Sequence, residues 1–225
     1  MLNEEKFRVS GKRVFTILLF VVLFAELSRA DDSRYTNAMK KNIEQIDSLN
    51  DLESIVSLTN SFLRIANAEK DKWLPYYYAS YLCIITSYAD TTKSNKDGHL
   101  DEAVKYLALA DSLQPNESEI YVLKGMILQA RLQVDPMNRY MKYGQEMNAA
   151  FQKAQELNPA NPRPDYLMAM NLYYTPAQFG GGPKAAKPMF ESALKKYNEF
   201  VPKDEIMPNW GKQQVENYVK QISEN

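Results

Sequence analysis

A spacing of small, large and small side chains recurs along this chain and constrains its fold more than any other feature. Met147, Phe151 and Ala154 stand at i, i+4 and i+7, followed by Leu157 and Pro159. Moved back by forty-four residues, the pattern falls on Ala103, Leu107, Ala110, Leu113 and Pro115. Moved forward by thirty-nine, its first three positions fall on Ala186, Phe190 and Ala193. Such spacing puts the three side chains on one helical face, and the Pro ends the helix. A second helix precedes each copy, with Tyr77 and Tyr121 in register and Gly125 four positions after Tyr121. One hairpin of this kind cannot bury its apolar face alone, so the copies must stack, and three is about the number at which a stack supports itself.

These residues resemble the tetratricopeptide (TPR) helical hairpin, in which small residues let the two helices approach closely. The offsets exceed the family's usual ~34 residues, so the extra length falls between the helices of each hairpin. The resemblance implies an all-α, right-handed α-solenoid of about three TPR-like hairpins, at residues 74–115, 116–159 and 160–201. An N-terminal helix pair precedes them, and a capping helix at 209–222 ends a single domain spanning 31–225. In the helix pair, Tyr35, Met39, Ile43, Ile46 and Leu49 share one face, and Asp51 caps a second helix carrying Ile55, Leu58, Phe62, Leu63 and Ala66.

Residues 1–30 read as a signal peptide: basic Lys6, Arg8, Lys12 and Arg13, an apolar run from Val14 to Ala25, then Ser28-Arg29-Ala30 for cleavage after Ala30. The run falls short of the ~20 residues that cross a bilayer, so no stable membrane insertion is expected after cleavage. A periplasmic or secreted location follows.

Three segments stand apart from the repeat. Thr91–Gly98 is polar and reads as a loop before a helix from His99 to Leu113. Asp135-Pro136 starts a long helix to Leu157, whose first turns, Met137 to Tyr143, project beyond the solenoid. Gly180-Gly181-Gly182-Pro183-Lys184 is no phosphate loop, because it lacks a preceding strand and a Ser or Thr after the Lys. It reads as a tight turn needing positive φ, with Pro183 opening a helix that Pro188 should bend or delay. The Phe-Gly-Gly-Gly wording is similar to helical-repeat periplasmic proteins that partner tripartite (TRAP) solute transporters, and to secreted TPR-like proteins of Bacteroidetes type.

The formal charge of −1 gives no basic excess for nucleic acid. One Cys and one His exclude a disulfide within the chain and make neither a metal site nor a cofactor expected; Cys83 reads as buried and His99 as a surface residue. No nucleophile–base set or distinguished carboxylate pair is present, so no catalysis is expected.

The TPR resemblance implies a concave face lined by the first helix of each repeat. Carried over, these positions are Pro75, Tyr78, Leu82 and Ile85, then Glu119, Val122, Met126 and Gln129. The third repeat adds Arg163, Tyr166, Met170, Tyr173 and Tyr174. Tyr78, Leu82, Val122, Met126, Gln129, Arg163, Tyr166, Met170, Tyr173 and Tyr174 form the candidate partner-binding stripe. The expected role is a non-catalytic scaffold holding a protein or peptide. The alternative is a solute-binding or transporter-accessory protein whose repeats enclose a pocket for a small apolar solute. The stripe reads equally as packed core, covered by the N-terminal helices or by the long helix after Pro136.

Overall fold

A computed structural model describes residues 32–224, so the leader at 1–30 lies outside the described residues. The described residues form nine α-helices: α1 (32–43), α2 (Leu52–Ala68), α3 (Leu74–Ala89), α4 (Lys93–Leu113) and α5 (Ser118–Val134), then α6 (Pro136–Leu157), α7 (Arg163–Tyr174), α8 (Pro183–Glu199) and α9 (Lys212–Glu224). Helices α3/α4, α5/α6 and α7/α8 pair as antiparallel hairpins, α2 packs on α3, and α9 packs on α8. The arrangement is a TPR-like helical solenoid.

The recurring small–large–small positions are the inner faces of the second helices. Ala103, Leu107 and Ala110 of α4 are buried, as are Met147, Phe151 and Ala154 of α6 and Ala186, Phe190 and Ala193 of α8. In the middle hairpin the approach is close: a Cβ added to Gly125 would lie 2.3 Å from the Phe151 ring. Only a residue without a side chain lets that ring sit on the α5 backbone. Ser118 and Ser80 do related work, donating 2.8 Å hydrogen bonds to the carbonyls of Ala154 and Ala103 across their hairpins.

The segment read as a loop, Thr91–Gly98, is helical from Lys93 onward. Composition argued for a loop, but neighbouring charges hold the two extra turns. Asp90 accepts from the Thr92 N–H at 2.8 Å and from Asn95 at 3.1 Å, and Lys96 reaches the Ser87 carbonyl at 2.7 Å. Asp97 takes a forked pair of bonds from Arg139 at 2.8 and 2.7 Å and one from Arg131 at 3.2 Å. His99 is half-buried rather than a free surface residue, with Nε2 2.9 Å from Asp90. Its hydrogen bond, with those of Thr92 and Asn95, holds the Asp90 carboxyl well below the usual carboxylate range.

Helix α6 starts at Pro136, and its first turns leave Met137, Tyr140 and Met141 exposed. Gly180 and Gly182 adopt φ of 82° and 102°, the left-handed region that glycine occupies without strain. Pro188 neither delays nor ends α8, which starts at Pro183 and runs on to Glu199. Lying in the second turn, it removes a single ladder bond. Asp51 caps α2 through a 2.7 Å bond from the Ser54 N–H. Cys83 is buried, and its thiol is pushed up to about 12 by desolvation.

Candidate ligand cavity on the concave face

First helices α3, α5 and α7 lie in line along one side of the solenoid. The side chains on that side follow the helical period: Tyr78, Tyr81, Ile85 and Tyr88 on α3, Glu119, Val122, Met126, Gln129 and Gln133 on α5, and Arg163, Tyr166, Met170 and Tyr174 on α7. The stripe divides into a covered half and an open half.

The covered half lies at the N-terminal ends of these helices. Its cover is the link between α8 and α9, residues 200–211, joined at Tyr78 by the N-terminal helix α2, whose Phe62 ring stacks on the Tyr78 ring at 5.0 Å. Arg163 is fully buried, donates to the Pro208 carbonyl, and lies between the rings of Phe200 and Trp210, 5.1 and 5.2 Å from their centroids. Tyr78 donates to the Ile206 carbonyl at 2.9 Å, and the Trp210 indole donates to the Tyr77 hydroxyl at 3.0 Å. Beneath the link is a buried polar network in which the Arg163 Nε alone lacks a hydrogen-bond partner among the described residues. Glu119 accepts from Arg163 at 3.0 Å, from Asn161 at 2.7 Å and from Tyr77 at 3.1 Å. Desolvation pushes the Glu119 carboxyl up, and the Arg163 charge opposes that shift. A link with backbone carbonyls engaged in this way occupies the place where the TPR resemblance puts a bound peptide.

The open half is a cavity of about 540 Å³. Helix α3 contributes Tyr81, Ile85 and Tyr88, and α5 contributes Met126, Gln129 and Gln133. Tyr166, Leu167, Met170 and Tyr174 come from α7, Pro136 from the start of α6, and Trp210 and Gln214 from the C-terminal end. No charged side chain lines it among the described residues. Burial pushes the phenol of Tyr81 up and that of Tyr166 to about 12, so both keep their protons at neutral pH. A ligand therefore meets neutral O–H groups, aromatic faces, thioethers and amides. Gln129 is oriented by its 3.1 Å bond to the Leu167 carbonyl.

Of the sequence-derived stripe, Met126, Gln129, Tyr166, Met170 and Tyr174 line this cavity. Tyr78 and Arg163 lie under the link, and Leu82 and Val122 are fully buried. Tyr173 turns to the other side, packing on Phe190 and Tyr218. The cavity residues that the stripe leaves out include Tyr81, Tyr88 and Trp210. Tyr81 and Tyr88 continue the period of α3 by one and three turns past Tyr78, which was a usable signal. Trp210 belongs to no repeat, and its place follows only from the path of the link.

The fold and cavity define a TPR-like helical-repeat protein with a ligand-sized hollow on its concave side. The solved structure of the HusA haemophore from Porphyromonas gingivalis aligns with a TM-score of 0.75 and 36% identity, covering 84% of this chain and 93% of that one. The chain belongs to the family of that haemophore. A thermophilic TPR protein from Thermus thermophilus also aligns, at 14% identity and a TM-score of 0.49, covering 88% of this chain and 95% of that one. No protein-family model and no curated protein sequence matches the chain.

Proposed function

We propose that this protein binds haem or a related porphyrin in the concave cavity, as a single TPR-like domain exported by the leader at residues 1–30 to the periplasm or beyond. The observation that carries the reading is the cavity: about 540 Å³, uncharged, and walled by Tyr, Trp and Met. That volume lies within the ~300–1,000 Å³ typical of small-molecule sites. Flat ring faces suit a planar macrocycle, and thioethers adapt to its edge. Met126, Met170 and the tyrosine hydroxyls are of the types that serve as axial groups to haem iron. Gln133 and Gln214 offer amide donors to acidic substituents. Kinship with a haemophore supports the same reading.

The test is an absorbance titration with haemin and with metal-free protoporphyrin IX. Saturable one-to-one binding is expected, weakened at least tenfold by Met170→Arg in a variant that keeps its melting temperature. Absence of saturable binding, or equal binding by the folded variant, would reject the site.

A second reading, contact with a protein partner, is favoured by the apolar patch on the projecting turns of α6. Met137 and Met141 are 87% and 89% exposed, one turn apart, with Tyr140 beside them. Met137→Glu/Met141→Glu separates the readings, because it leaves porphyrin titrations unchanged and removes only a protein contact.

A further inference from the structure

A second cleft lies between α1 and α2, at the N-terminal end of the solenoid, and shares no lining residue with the concave cavity. At about 840 Å³ it is the larger of the two. Its chemistry is the reverse. Arg34 and Lys41 of α1 and Arg64 of α2 face it, none of them ion-paired among the described residues, against one acid, Glu69. Ser54, Ser57 and Ser61 stand at i, i+3 and i+7 on α2 along the opposite wall. Ser54 donates to the Asp51 carbonyl and Ser61 to Asn42, which leaves their oxygens as acceptors and the Ser57 hydroxyl for either role.

At the bottom of this cleft Asn42 is 6% exposed. Its Oδ1 accepts from Ser61 Oγ at 3.3 Å, while Nδ2 is buried with no partner among the described residues. Folded chains rarely leave a buried donor unpaired, and an amide N–H₂ buried in this way calls for an acceptor oxygen. The cations around it call for negative charge on the molecule that supplies that oxygen. The serines match hydroxyl groups, and Leu58 and Ile65 give an apolar floor for C–H faces.

We propose that the α1–α2 cleft binds an anionic saccharide, a hydroxyl-bearing ring or short chain that carries carboxylate or phosphate. The cleft is several times too large for a lone phosphate ion, and its neutral hydroxyls serve no purpose for one. This site is separate from the porphyrin reading and stands or falls without it.

The test is calorimetric titration of the mature chain with trigalacturonic acid, glucose 6-phosphate, maltotriose, inorganic phosphate and a hexaglutamate peptide. At least one of the two charged sugars is expected to bind at least tenfold tighter than maltotriose, phosphate or the peptide, and which one does distinguishes carboxylate from phosphate. Arg64→Glu, an exposed change, is expected to weaken that binding at least tenfold, and Asn42→Leu to do the same where it folds. Both variants should titrate haemin as the parent does. The assignment is overturned by failure of both sugars, by equal binding of phosphate or hexaglutamate, or by binding that survives Arg64→Glu.

Discussion

Trp210 lies flat on Tyr81, ring centroids 5.0 Å apart and planes within 24° of parallel. One ring comes from the first repeat and the other from the link before α9, and both face the cavity. The floor of the site is thus built from distant parts of the chain. Stacking of this kind contributes about 0.5–1.5 kcal/mol beyond the area it buries.

Replacing Trp210 by Ala removes the stack, the bond to Tyr77 and a wall of the cavity. Because the indole is only half-buried, a loss near the lower end for large-to-small aromatic changes is expected, about 2–3 kcal/mol. Urea denaturation followed by circular dichroism measures it. A variant as stable as the parent would show the link to be a passive cover.

The buried pair Glu119 and Arg163 makes a sharper case. Arg163→Met leaves a carboxylate buried with only Asn161 and Tyr77 to hold it, and a cost of about 3–5 kcal/mol is expected. Adding Glu119→Leu should return part of that stability, since no buried charge then lacks its counterpart. If the double variant is no more stable than the single one, the cost lies in the link's lost contacts to Arg163 rather than in the orphaned charge.

Gly125→Ala places a methyl group inside the space of the Phe151 ring. Overpacking of this kind costs about 1–3 kcal/mol, and Phe151→Leu in the same chain should relieve much of it. Thermal melting of the two variants gives the comparison. Equal melting of Gly125→Ala and parent would mean that the hairpin opens at no cost.

Asp90 titrates lower in the folded chain than in the unfolded one, with His99 as the first cause. Its contribution is therefore complete above the ordinary carboxylate value of about 4 and is lost as pH falls below it. Between about pH 5 and pH 2, Asp90→Asn should show a shallower fall in melting temperature than the parent. Parallel curves would remove Asp90 from the acid sensitivity of the fold.

Much of this architecture was legible because the repeat speaks through side-chain size. Ala103, Ala154 and Ala193 mark where helices meet, and the α6 boundaries follow from Asp135-Pro136 and Asn158-Pro159. The helical start of α4 was not legible, because part of what holds it is Arg131 and Arg139, more than thirty residues further along. The site was half legible for the same reason. Periodicity names the concave side of each first helix, so Met126, Tyr166 and Met170 could be found there. Periodicity carries no information on where an aperiodic link will lie, so the seating of Arg163 beneath it and the arrival of Trp210 were out of its reach.

The contact from Trp210 to Tyr77 spans 133 residues. Solenoids ordinarily behave as chains of neighbours, each repeat able to fray while the others stay folded. Here the link that follows the last repeat is latched onto the first, so the last repeat and the first are tied to one another. The consequence is a spring turned into a clasp. Its hydrogen exchange should be limited by one shared opening event across α3, α5 and α7 rather than graded from the ends inward.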